Sequence, residues 1–98
     1  MTIKVIIKRK FKEGCLREAS KMLIQARNNA MKEEGYISSE TLSNCDDPDE
    51  IVVLSMWENR EDWWRYKDGA ARQELEHQFE ELIEGRTRTV SYEMGMKR

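Results

Sequence analysis

Asn59, Trp63 and Tyr66 follow one another at intervals of four and three residues. On a helix that starts near Asn59 this spacing puts Trp63 and Tyr66 on one face with Ala70, while Trp64 and Lys67 point elsewhere. Rings on a shared face either wall a cavity or fill a core. The amide of Asn59 either turns toward whatever Trp63 packs on or caps the helix start, where asparagine is favoured. All three tryptophans and Tyr66 fall between positions 57 and 66, where an apolar run meets a helical one. His77 is the single histidine and so the first candidate for a haem ligand, yet its helical phase is nearly opposite the apolar stripe Leu75, Phe79, Leu82, which points it to solvent. Cys15 and Cys45 lie thirty residues apart with no CxxC or Cys/His spacing, so a metal site is not expected.

The elements that must position these side chains can be read from periodicity. Residues 3–11, IKVIIKRKF, alternate, with Ile3, Val5, Ile7 and Phe11 on one face and Lys4, Lys8 and Lys10 on the other, the pattern of a half-buried strand. Leu16, Ala19, Leu23, Ala26 and Ala30 recur at threes and fours and predict an amphipathic helix over about 15–32, stopped near Gly35. Tyr36 to Leu42 reads as a weak strand, and IVVLSMW, 51–57, as the strongest and most central one. Two helical pieces follow, about 59–67 and about 70–84, split at Asp68-Gly69. The second carries Ala71, Leu75, Gln78, Phe79 and Leu82 on one face, and a last alternating strand holds Val90, Tyr92 and Met94. The order β-α-β-β-α-β predicts a ferredoxin-like α+β sandwich, with helices on one face of a four-stranded antiparallel sheet. Ile6, Leu54 and Met56 fall on the bare face, and a second copy of the chain is expected to cover it as a homodimer.

Size and charge agree with that picture. Ninety-eight residues, 39% apolar and 37% charged, make one domain spanning the chain. Such a domain buries only roughly 60 to 65% of its unfolded surface, so oligomerisation would help complete its core. The net charge is −2. Residues 1–12 hold five basic and no acidic side chains, while 58–84 hold nine acids and four bases. That balance, and the absence of a basic Gly-aromatic pattern on the third strand, exclude an RNA-recognition surface. The longest apolar run is too short for a membrane span or a leader. Reduced thiols in a cytoplasmic protein are expected.

The run LSMWENREDWWRYKDG, followed by a helix and a final alternating strand, resembles the antibiotic biosynthesis monooxygenase family of small dimeric α/β barrels. The sharpest shared element is a tryptophan ending the third strand, here Trp57, then Asn59-Arg60-Glu61 and an aromatic helix turn. The resemblance implies a cofactor-independent monooxygenase acting on a quinol- or anthrone-like substrate and O₂, since its anthrone oxygenases carry an Asn and a Trp four apart at this place, matched by Asn59 and Trp63. A deprotonated phenol of this kind gives an electron to O₂ without flavin, haem or metal. The protein supplies an apolar pocket, a hydrogen bond to the oxyanion and a proton route. In that frame Asn59 donates the hydrogen bond, Trp63 is the ring wall or an indole donor and Trp57 adds to the pocket; Tyr66, Tyr36 or His77, chosen by residue type and not by a matched motif, carries the proton. The haem-degrading relatives carry an axial histidine that falls on Glu76 here and a first-strand asparagine that falls on Ile7 or Lys8, so haem is the lesser alternative. A ligand-binding dimer without chemistry and a non-catalytic stress-related domain are the others.

Overall fold

The computed structural model describes residues 1–96. Its strands are β1 (Ile3–Lys10), β2 (Tyr36–Ser43), β3 (Glu50–Trp57) and β4 (Arg88–Glu93). Its helices are α1 (Leu16–Met31), α2 (Arg60–Asp68) and α3 (Ala70–Gln78), followed by a 3₁₀ turn over Glu80–Leu82. The strands form one antiparallel sheet in the order β2-β3-β1-β4, which is the ferredoxin-like α+β arrangement. Alternation decides which face meets the helices: Ile3, Val5, Ile7 and Phe11 of the first strand run and Ile51, Ser55 and Trp57 of β3 are buried, while Lys8 and Lys10 are exposed. β3 is central, as its apolar composition predicts.

Two features depart from the sequence reading. The stretch 70–84 is not one helix: α3 ends at Gln78, where Phe79 takes φ −109° and ψ 12°. The chain then joins the end of the first strand run, with Lys12 N–H donating to the Leu82 carbonyl at 2.8 Å and Glu84 N–H to the Lys10 carbonyl at 2.7 Å. Those bonds satisfy backbone groups that a continuing helix would have left beside the sheet edge unpaired. The inward face of α3 also differs from the expected one: Arg72 and Leu75 are buried, whereas Ala71 and Gln78 are exposed. In the same way Arg9 lies buried in the row that holds Ile7 and Phe11.

The corner between α1 and β2 positions the start of α2. Gly35 has φ +86°, a left-handed conformation that side chains with a Cβ adopt at a cost, and an added Cβ would overlap the Asp62 carboxylate. Its carbonyl accepts from Glu58 N–H at 2.8 Å, tying this corner to the β3–α2 junction. Gly35→Ala is therefore expected to destabilise the fold by about 2 kcal/mol or more, lowering the melting temperature by roughly 10 °C. Thermal unfolding followed by circular dichroism checks it, and a variant that melts within about 2 °C of the parent would contradict the packing described.

Candidate functional site

Trp57 ends β3 on the inward face, 1% exposed, and its indole N–H donates to Ser55 Oγ at 3.2 Å. α2 is laid over it by its cap: Asn59 is extended (φ −156°, ψ 170°) and its Oδ1 accepts from Asp62 N–H at 2.9 Å. That start phases Trp63 and Tyr66 onto the sheet, where Tyr66 stacks on Trp57 at 5.3 Å between ring centres and Trp63 tilts against it at 5.8 Å. Tyr36 meets Trp57 edge-on at 5.6 Å. Offset and edge-on pairs of this kind add to the area they bury. The Tyr66 hydroxyl donates to the Ala26 carbonyl at 3.3 Å, and burial raises its pKa, so near neutral pH it is a phenol and a donor rather than a base.

Between these rings, the sheet and α1 lies a cavity of about 40 Å³, floored by Ile7 and Val53 and roofed by Ala26 and Ala30. It accommodates one water or a small diatomic molecule, but no aromatic ring. Exposed Arg27 and Thr41 mark the side on which it meets solvent, along the seam between α1 and β2.

Two buried arginines that periodicity alone did not single out close the inner end of the cavity. Arg9, 2% exposed, donates Nε and Nη2 to Glu76 Oε1, the former at 3.2 Å, while Thr87 Oγ1 donates to Glu76 Oε2 at 2.8 Å. Burial alone would raise the Glu76 carboxyl, but the Arg9 charge and these bonds outweigh it and hold the group below the ordinary range. Arg72 lies with its guanidinium carbon 5.5 Å from the centre of the Trp63 ring, and burial lowers its pKa despite the attraction of Glu76. The signal for both was phase: Arg9 shares the parity of Ile7 and Phe11, and Arg72 precedes Leu75 by three and Phe79 by seven.

Of the residues singled out from the sequence, the fold brings Trp57, Trp63, Tyr66 and Tyr36 together. The side-chain oxygen of Asn59 is committed to the helix cap and the residue is not part of the cavity wall. His77 stands on the exposed face of α3, outside the ring cavity, 3.5 Å from Glu80. Among the described residues, no three His, Cys, Asp or Glu side chains could hold a metal ion.

The antibiotic biosynthesis monooxygenase family model matches residues 2–78. The chain belongs to that family. Solved structures superpose over nearly its whole length. One is SnoaB of Streptomyces nogalater, a cofactor-independent oxygenase: TM-score 0.83, 9% identity, 98% of this chain and 95% of that one. Another is Rv0793 of Mycobacterium tuberculosis: TM-score 0.84, 13% identity, 99% and 98%. A third is a conserved protein of Methanosarcina mazei: TM-score 0.84, 18% identity, 94% and 91%. At these identities the likeness establishes the fold. No curated protein matches the sequence.

Haem does not fit the ring cavity. Glu76, which occupies the histidine register, has both oxygens engaged by Arg9 and Thr87, and the cavity is far smaller than a porphyrin.

The same pair makes stability depend on acid. The Glu76 carboxyl is more acidic folded than unfolded, so its contribution is complete above the ordinary value of 4.5 and is lost as pH falls through the lower folded value. Glu76→Gln is expected to cost on the order of 3 kcal/mol at neutral pH by leaving Arg9 buried without its anion. The gap to the parent should shrink below pH 4.5. Urea unfolding at neutral and acid pH measures both, and a gap independent of pH would refute the role of the pair.

Proposed function

We propose that the protein is a cofactor-independent monooxygenase that oxidises a small aromatic, quinol- or anthrone-like molecule with O₂ and works as a homodimer in the cytoplasm. The observation that carries this reading is a cavity walled by Trp57, Trp63 and Tyr66 and closed by arginines, in a chain of this family. An electron-rich ring held there loses a proton, and the anion passes one electron to O₂. Radical and superoxide recombine to a peroxide, whose O–O bond breaks with loss of water to leave a carbonyl. Both oxygen atoms are accounted for and no external reductant enters.

The chain's own side chains would bind and exclude water. Trp57, Trp63 and Tyr66 line one side of the ring, the Tyr66 phenol stays protonated on the Ala26 carbonyl, and the buried cations favour the anionic form. Asn59 acts as a positioning residue, setting the phase of α2 and thereby the place of Trp63. A ring larger than the 40 Å³ cavity enters by parting α1 from β2, on the side where exposed Arg27 and Thr41 line the cavity. Tyr36, at the start of β2, lies at that seam and meets Trp57 edge-on; His77, on the outer face of α3, stands apart from the rings.

Oxygen uptake with a hydroxylated anthrone or a hydroquinone tests the reading. Turnover above autoxidation is expected, falling at least about 10-fold in Trp63→Phe and several-fold in Asn59→Ala. The latter should cost only about 1 kcal/mol of stability for its lost cap. Uptake unchanged in both variants, or none in the parent, would defeat it. The small cavity favours a second reading, in which the rings are core alone. That reading expects no turnover, and a stability loss of about 3 to 5 kcal/mol in Trp63→Ala as the only consequence.

The bare face of the sheet supports the dimer. Ile6 pairs in register with Leu54 and Val90, and with Leu42 and Tyr92 these make an apolar strip, Leu42, Val90 and Tyr92 being about half exposed. Leu54→Lys is expected to convert a dimer into a monomer in sedimentation velocity, and a parent already monomeric at micromolar concentration would overturn the sheet-on-sheet arrangement. No described helix is long and apolar enough to cross a membrane.

A further inference from the structure

The ring cavity is lined by Arg9, Arg27 and Arg72 and by no aspartate or glutamate, in a chain whose net charge is −2. Arg27, at the solvent side, is exposed, but Arg9 and Arg72 are 2% and 6% exposed. These two guanidinium groups have one nearby carboxylate between them. Glu76 is already engaged: its Oε1 accepts twice from Arg9 and its Oε2 accepts from Thr87. Arg72 Nε stands 3.5 Å from the occupied Oε1, a charge contact too long for a hydrogen bond, and Nε and Nη1 are buried with no acceptor. A buried donor left unmade carries its full desolvation penalty, and a guanidinium is built to meet two anionic oxygens in parallel. The wall beside it offers instead the ring of Trp63.

We propose that Arg72 is the seat of an anionic oxygen on the bound molecule, so that the site selects an aryl carboxylate or a phenolate over a neutral isostere. This rests on the cavity being the substrate site and adds the charge that the substrate carries. The oxygen meets the guanidinium where Arg72 lines the cavity, and the ring lies among Trp57, Trp63 and Tyr66 once the α1–β2 seam has opened. Arg27 at the mouth draws the anion in. The ligand thereby completes a charge balance that the protein leaves incomplete.

Benzoate and benzamide share a shape and differ in charge, and neither carries an oxidisable phenol, so their binding reads the seat independently of any oxygen chemistry. Titration followed by tryptophan fluorescence is expected to show benzoate bound at least about 10-fold more tightly. Arg72→Met should bring the two within about 2-fold. In the ligand-free state Arg72→Met should melt no lower than the parent, because an unmatched buried cation has been exchanged for an apolar chain of similar length. An arginine held only for structure would instead lower the melting point. Arg9→Met, which strands Glu76, is the variant expected to lower it. 4-Nitrophenol separates the two sources of the oxygen: binding as the yellow phenolate at a pH where the free molecule is protonated, with benzoate ignored, assigns a phenolate.

Equal affinity for benzoate and benzamide with no phenolate signal, or an anion preference that survives in Arg72→Met, would overturn the proposal. If the preference holds and oxygen uptake fails, the anion site stands without the oxygenase. If uptake succeeds with no preference, the oxygenase stands with a neutral substrate.

Discussion

Arg9 occupies a place in the first strand where its neighbours in phase are Ile7 and Phe11, so a full positive charge is carried under the helices. Removing such a group from water costs several kcal/mol unless an anion with good geometry meets it. Glu76 of α3 does so, and it is in turn held by Thr87 in the segment leading to β4. One ion pair thus joins β1, α3 and the approach to β4. It sets the rotation of α3, and that rotation turns Arg72 inward against Trp63 rather than leaving Ala71 on the core side.

The other end of the cavity depends on backbone geometry. Gly35 allows the α1–β2 corner to lie flat against Asp62, and Asn59 starts α2 at a phase that drops Trp63 and Tyr66 onto Trp57. Rings then supply rigid area at little entropic cost, and alanines at 26 and 30 of α1 leave a narrow void above them.

The sheet's two faces divide the work. The inner face carries the rings and the buried charges. The outer face carries Ile6, Leu54 and Val90 adjacent in register. The ring cavity and this apolar strip therefore sit back to back on the same strands.

Periodicity by itself determined the element order, the ferredoxin-like arrangement, the central place of β3 and the shared face of Trp63 and Tyr66, because alternation and 3.6-residue spacing are local properties of the chain. It also foretold the outward phase of His77. What it could not decide was where helical geometry yields to a competing partner, as at Phe79, where the end of the first strand run takes over the backbone bonds. Nor could it choose between cap and site for Asn59, since both use the same amide. Arg9 and Arg72 were in phase with buried residues, but a charge in an apolar row reads as an interruption until its counter-ion is seen. Glu76 lies sixty-seven residues from Arg9, and only the tertiary structure could bring the two together and show that the second arginine was left without a carboxylate.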